Sequence, residues 1–145
     1  MLPIYRLLIN ILFPIIVVFI FVRTFLNKED KKRYKEKLFY SSFNSSRNNK
    51  KKLIWFHAAS IGELNSITPL ISKLDEKDFE FLITTITLSS SELIKKKFLL
   101  NKNITHRFLP IDKLSLVKNF LDDWSPNLIL FVDSEIWPNF LLEMK

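Results

Sequence analysis

Four short clusters combine side chains able to do chemistry. The first is HAASIGE, His57 to Glu63, with a hydroxyl at Ser60, the chain's one glycine at Gly62 and a carboxylate at Glu63. It follows an apolar run and opens a helical pattern, so Glu63 falls in a first helical turn. There the helix dipole favours the ionised carboxylate, which can take a proton or accept a hydroxyl hydrogen bond. A first-turn glutamate also stabilises a helix with no further role, and His57 reads more readily as a satisfied strand-end histidine than as a catalyst. Gly62 lacks the Cβ that would keep a ligand away or forbid unusual dihedrals.

The second cluster is TTITLSSSE, Thr84 to Glu92, a hydroxyl-rich loop leading into a helix, where backbone N–H groups and the side chains of Thr85, Thr87 and Ser89 can hold phosphate or sugar hydroxyls. Ordinary capping, with Ser89 and Glu92 as a capping box, accounts for part of the same pattern. In the third, FLPID, Pro110 shapes a turn and Asp112 suits the N-cap of the helix that follows. The fourth is DSEIWPN, Asp133 to Asn139, which gathers two carboxylates, an indole and an amide after a hydrophobic run. Glu135 there can bind a substrate hydroxyl or orient Glu63, Trp137 can pack under a sugar ring, and Asn139 can hydrogen-bond a ligand.

The elements that must position these clusters alternate along the chain. Residues 53–57, 79–85, 104–109 and 127–132 read as buried strands. Between them lie helical patterns over 63–77, from 89 to about 100, and from 113 to 124, and Pro138 sits where a first-turn proline starts another helix. Repeated β-α units predict an α/β fold, a parallel sheet with helices on both faces, whose ligands bind outside the carboxyl ends of the strands. All four clusters fall there.

The net charge of +7 is unevenly distributed. Residues 23–52 carry +8 and residues 53–145 carry −2, so the globular part is nearly neutral and nucleic acid is not an expected partner. The basic block instead suits a membrane with anionic lipids, at roughly 1 kcal/mol per Lys or Arg near the surface. A solvated linker is the plainer reading of the same block. It follows LLINILFPIIVVFIFV, Leu7 to Val22, long enough with its flanks to span a bilayer core of about 20 helical residues. The run ends without the small residues of a cleavage site, and residues 11–22 show no polar face of an interfacial helix. A transmembrane anchor over residues 1–26 is therefore expected, then a basic juxtamembrane linker over 27–52 and a Rossmann-like domain over 53–145. The lysine excess places that domain on the cytoplasmic face. The absence of cysteine excludes disulfides and thiolate chemistry, and no metal-ligand motif is visible.

Taken in order, HAASIGE, the TTIT loop, LPID and SEIWPN resemble the 3-deoxy-D-manno-octulosonic acid (Kdo) transferase family, with S-x-G-E and E-x-W-P-N the specific motifs. The resemblance implies the N-terminal domain of a GT-B glycosyltransferase. It implies inverting transfer of Kdo from CMP-Kdo to a lipid A precursor in lipopolysaccharide biosynthesis, at the bacterial inner membrane and without a cofactor. Glu63 then matches the family's general base and Glu135 its second acidic residue. Substrate-binding candidates are Ser60, Gly62, Thr85, Thr87, Ser89, Trp137 and Asn139. The family's hydroxyl loop commonly has a glycine near the position of Ser90. At 145 residues the chain lacks room for the domain that binds CMP-Kdo, and its final helical pattern breaks off among Phe140, Leu141 and Leu142, so a truncated product is expected. The alternative is a non-catalytic, membrane-anchored lipid-binding or docking module.

Overall fold

A computed structural model describes residues 2–39, 51–74, 78–98, 100–132 and 136–144. The described residues form two compact units. One comprises 2–39, 110–123 and 136–144, and the other takes the described part of 51–109 with 124–132.

The second unit is the sheet. Strands β1 (Lys52–Ala58), β2 (Phe79–Thr85), β3 (Ile104–Phe108) and β4 (Leu128–Val132) are all parallel, in the order β3-β2-β1-β4. Parallel strands need helical crossovers, which is why apolar runs of five to seven residues alternate here with longer amphipathic stretches. Helices α2 (Ile61–Lys73) and α3 (Leu88–Lys97) fill the first two connections, and α4 (Leu114–Trp124) joins β3 to β4. Side chains alternate across the sheet. On one face Ile54, Phe56, Phe81 and Ile83 pack against Leu64, Ile67 and Ile71 of α2 and Ile94 of α3. On the other, Trp55 and His57 both contact the Phe131 ring, at centroid distances of 5.4 and 4.9 Å.

In the first unit α1 (Leu2–Phe25) is a 24-residue helix containing an 18-residue stretch of mean hydropathy 2.5, long and apolar enough to cross a membrane, with Pro14 inside it. A 3-10 turn, Tyr34–Lys37, follows. The chain's last helix, α5 (Pro138–Glu143), begins with proline at its first position, as expected.

Two caps differ from expectation. Helix α3 starts at Thr87, whose Oγ1 accepts from the Ser90 N–H at 3.3 Å, so Ser89 lies exposed inside the first turn. The β2 ladder continues to Thr85, and the next extended residue able to cap is Thr87, two positions before the Ser89–Glu92 pair. Asp112 does not cap the helix next to it. Its carboxylate accepts from the backbone N–H groups of Asn139 (2.9 Å) and Phe140 (3.1 Å), so it caps α5.

Candidate functional site

In a sheet ordered β3-β2-β1-β4 the chain steps from β1 to one side twice, then crosses to the other side of β1. The carboxyl ends of β1 and β4 therefore flank a topological switch point, where open α/β sheets bind ligands. The loop leaving β1 there is Ala59–Ser60, and Ser60 is the N-cap of α2. Its Oγ accepts from the Glu63 N–H at 3.3 Å. The Glu63 carboxylate reaches back, accepting from the Ala59 N–H at 2.6 Å and the Ser60 hydroxyl at 2.7 Å. This reciprocal capping box fixes the carboxylate with one bond on each oxygen. Glu63 remains part-exposed and each oxygen retains acceptor capacity, so a substrate hydroxyl can still bind.

Gly62 is exposed in the first turn, has no positive φ, and a Cβ there would meet only Ser60 Oγ at 3.8 Å. The backbone makes no demand for glycine, so the unusual dihedrals considered above do not occur; open space over the turn is what it leaves.

Beneath this loop His57 is almost fully buried. Its Nδ1 lies 2.9 Å from Thr84 Oγ1, which also accepts from the Trp55 indole at 2.8 Å. Burial pushes the imidazole down to about 4, against the opposing pulls of the Glu63 charge and the Thr84 hydrogen bond. A neutral His57 thus acts as a wall under the Glu63 loop. The i, i+2 spacing of Trp55 and His57 places both on one face of a strand, a signal that was available; their common partner Thr84 comes from the β1–β2 register.

The hydroxyl loop divides. Thr85 is fully buried, with Oγ1 2.9 Å from His106 Nε2, so its side chain serves the sheet. Thr87 and Ser89 are exposed, Thr87 sharing a hydrogen with Ser90 Oγ at 2.7 Å.

Of the DSEIWPN cluster, Glu135 lies outside the described residues. Trp137 is half-buried just before α5, and its indole N–H meets no hydrogen-bond partner among the described residues. Asn139 is fully buried and committed: its Nδ2 donates to the Asp112 carbonyl at 2.7 Å and its Oδ1 accepts from Arg6 Nε at 2.8 Å. The Tyr5 hydroxyl adds a third bond to the Asp112 carboxylate, at 2.7 Å. Burial pushes the Asp112 carboxyl up, against the opposing effect of these donors and Arg6. No local spacing announces this knot, because its partners lie 27 and 107 residues apart.

A family model described as 3-deoxy-D-manno-octulosonic-acid transferase matches residues 32–145. The chain belongs to the Kdo transferase family. A 3-deoxy-D-manno-octulosonic acid transferase of Rickettsia bellii is 37% identical over 145 residues, covering 99% of this chain and 34% of the relative. One from Rickettsia felis is 44% identical over 88 residues, 59% of this chain and 18% of the relative. A protein of Arabidopsis thaliana called a probable mitochondrial 3-deoxy-D-manno-octulosonic acid transferase is 39% identical over 92 residues, 62% of this chain and 20% of the relative. The chain thus spans about a third of the length of the Rickettsia bellii relative. On the described residues, the four clusters lie at a strand's carboxyl end or at the helix start that follows it.

Proposed function

We propose that this chain supplies the acceptor side of a Kdo transferase acting in lipopolysaccharide biosynthesis, with Glu63 as general base. The observation that supports this best is the Glu63 carboxylate, held by Ala59 N–H and Ser60 O–H at the switch point beside the central strand, with acceptor capacity left over. In the reaction Glu63 takes the proton of a primary hydroxyl on the glucosamine disaccharide of a lipid A precursor. The freed oxygen bonds to the anomeric carbon of Kdo, the bond from that carbon to the CMP phosphate oxygen breaks, and CMP leaves with its electron pair. Attack opposite the leaving group inverts the anomeric configuration. The CMP-Kdo site belongs to the two thirds of the relative's length that this chain does not span, as in a GT-B pair of Rossmann-like domains. No further cofactor enters.

Ser60 orients the base, and Gly62 leaves room above the turn. Thr87 and Ser89 bind hydroxyls of the acceptor sugar, and Trp137 and Glu135 are further sugar contacts in this reading. Thr85 supports the loop from within the sheet, as its buried hydrogen bond to His106 suggests; Asn139 acts within its own unit, through Asp112 and Arg6. Helix α1 and the lysines after it hold the enzyme at the cytoplasmic face of the inner membrane, where the lipid acceptor lies.

The test is Glu63→Gln in the full-length enzyme, assayed for Kdo transfer to a lipid A precursor. Glutamine keeps the acceptor oxygen for Ala59 N–H, so the helix start survives. Loss of base catalysis should slow transfer about 10²–10⁴-fold with membrane association unchanged. A near-normal rate would remove Glu63 from the mechanism.

A further inference from the structure

We infer that α1 lies in the plane of an anionic membrane surface instead of crossing the bilayer. The helix is fastened at both ends to the same compact unit. Near its start Tyr5 donates to Asp112, and Arg6 donates to Asn139 at 2.8 Å and to Glu143 at 3.0 Å. In its second quarter the Phe13 ring takes the Lys113 ammonium 4.1 Å from its centroid. Near its end Arg23 pairs with Glu29 at 2.8 Å, and Glu29 pairs with Lys37, both of the latter buried. The Lys37 carbonyl in turn accepts from the Ile111 N–H at 2.9 Å, beside Asp112.

Arg6 and Thr24 are 18 residues apart, about 27 Å along a helix, close to the thickness of a hydrocarbon core of about 30 Å. A crossing helix would put those two ends at opposite membrane surfaces. Asp112, Lys113, Lys118 and Glu143 would then have to follow the helix into hydrocarbon, where each charge is costly, or the Tyr5, Arg6 and Phe13 contacts would have to break.

The outward face fits the in-plane arrangement. Ile4, Leu8, Ile11, Ile15, Val18 and Val22 recur at helical spacing and are 48–64% exposed. Tyr5, Ile9, Phe13, Ile16 and Ile20, on the other side, are buried or half-buried. The helix has no polar face, and the side away from the lipid is half-covered by protein. Just beyond the apolar stripe stand Lys28, Lys31, Lys32 and Lys35, all exposed, as a basic rim complementary to anionic headgroups.

The chain contains no cysteine, which makes the test direct. In the full-length protein, with any cysteine outside this chain replaced by serine, Leu2→Cys and Lys31→Cys are labelled singly with a membrane-impermeant maleimide, in spheroplasts and in inverted vesicles. The expected result is that both label only from the side that carries the sheet. Labelling of Leu2→Cys from the opposite side alone would overturn the proposal. If Leu2→Cys escapes label from either side, the Phe13→Cys, Lys113→Cys pair, which leaves the Asp112 hydrogen bonds in place, is treated with a short bis-maleimide: a cross-link in native membranes supports the in-plane helix, and none overturns it. Changing the four lysines to glutamine should weaken binding to phosphatidylglycerol vesicles at least tenfold at low salt; an unchanged affinity would mean that the rim does not read lipid charge.

Discussion

Glu63 and Asp112 are both carboxylates that cap helix starts, yet they do so in opposite ways. Glu63 caps its own helix through partners three and four residues away, stays part-exposed, and retains acceptor capacity. Asp112 is buried and caps a helix 27 residues on, with both oxygens accepting from Asn139, Phe140 and Tyr5. A locally held, unsaturated carboxylate is available for chemistry. A saturated, buried one is a fastening, and a charge that costs about as much to desolvate as its donors return makes it sensitive to any lost partner.

The comparison can be broken at either end. The largest effect expected is on rate: Glu63→Gln should cost about 10²–10⁴ in transfer while shifting thermal unfolding little. Asp112→Ala should do the reverse. It leaves two buried N–H groups and the Tyr5 hydroxyl without their acceptor, a loss of roughly 4 kcal/mol, visible as a lower midpoint in denaturant unfolding of the detergent-solubilised protein. If instead Asp112→Ala unfolds normally and only its activity falls, the two roles are exchanged.

A third measurement concerns the floor of the Glu63 site. His57 sits at about 4 in the folded protein against 6.5 when exposed, so on acidification the unfolded chain takes up the proton first. Its neutral form leaves stability undiminished above pH 6.5 and lets it fall between 6.5 and 4, by about 3 kcal/mol. Unfolding at a series of pH values should show that slope, and His57→Gln should flatten it. The smallest effect is at Gly62. Alanine meets only an ordinary 3.8 Å contact in a helical turn, so it should raise stability by up to about 1 kcal/mol. If the variant is more stable but transfers Kdo more slowly, the open space over the turn belongs to the acceptor.

The strands and the first-turn proline are legible in the sequence because a buried parallel strand needs little beyond an apolar run with firm punctuation, and Lys52–Ala58 and Phe79–Thr85 have it. Glu63 is legible for a related reason: its partners are its neighbours. The cap at Thr87 is misread by two residues, since Ser89 with Glu92 offers the same local chemistry and only the end of the β2 ladder chooses between them. Asp112 is read rightly as a cap but of the wrong helix, and the burial of Asn139 is not legible. A side chain whose partners are remote carries no periodic signature, so Asp112 looks like the cap of the nearest helix and Asn139 like a free amide. Thr85 looks available for the same reason until His106 is placed against it.

The strand order has a consequence for how the chain is made. Ile54 on β1 pairs with Leu128 on β4, 74 residues later, whereas the β1–β2 partners are only 27 apart. At about 5–20 residues per second of synthesis, β1 waits roughly 4–15 seconds with one edge unpaired after it has left the ribosome. During that interval the ring of Trp55 lacks Phe131 and the N–H and C=O groups on that edge are open to any strand that arrives first. Among the described strands β1 thus starts first and waits longest for its second neighbour, and nascent chains halted before Leu128 are the ones expected to need a chaperone.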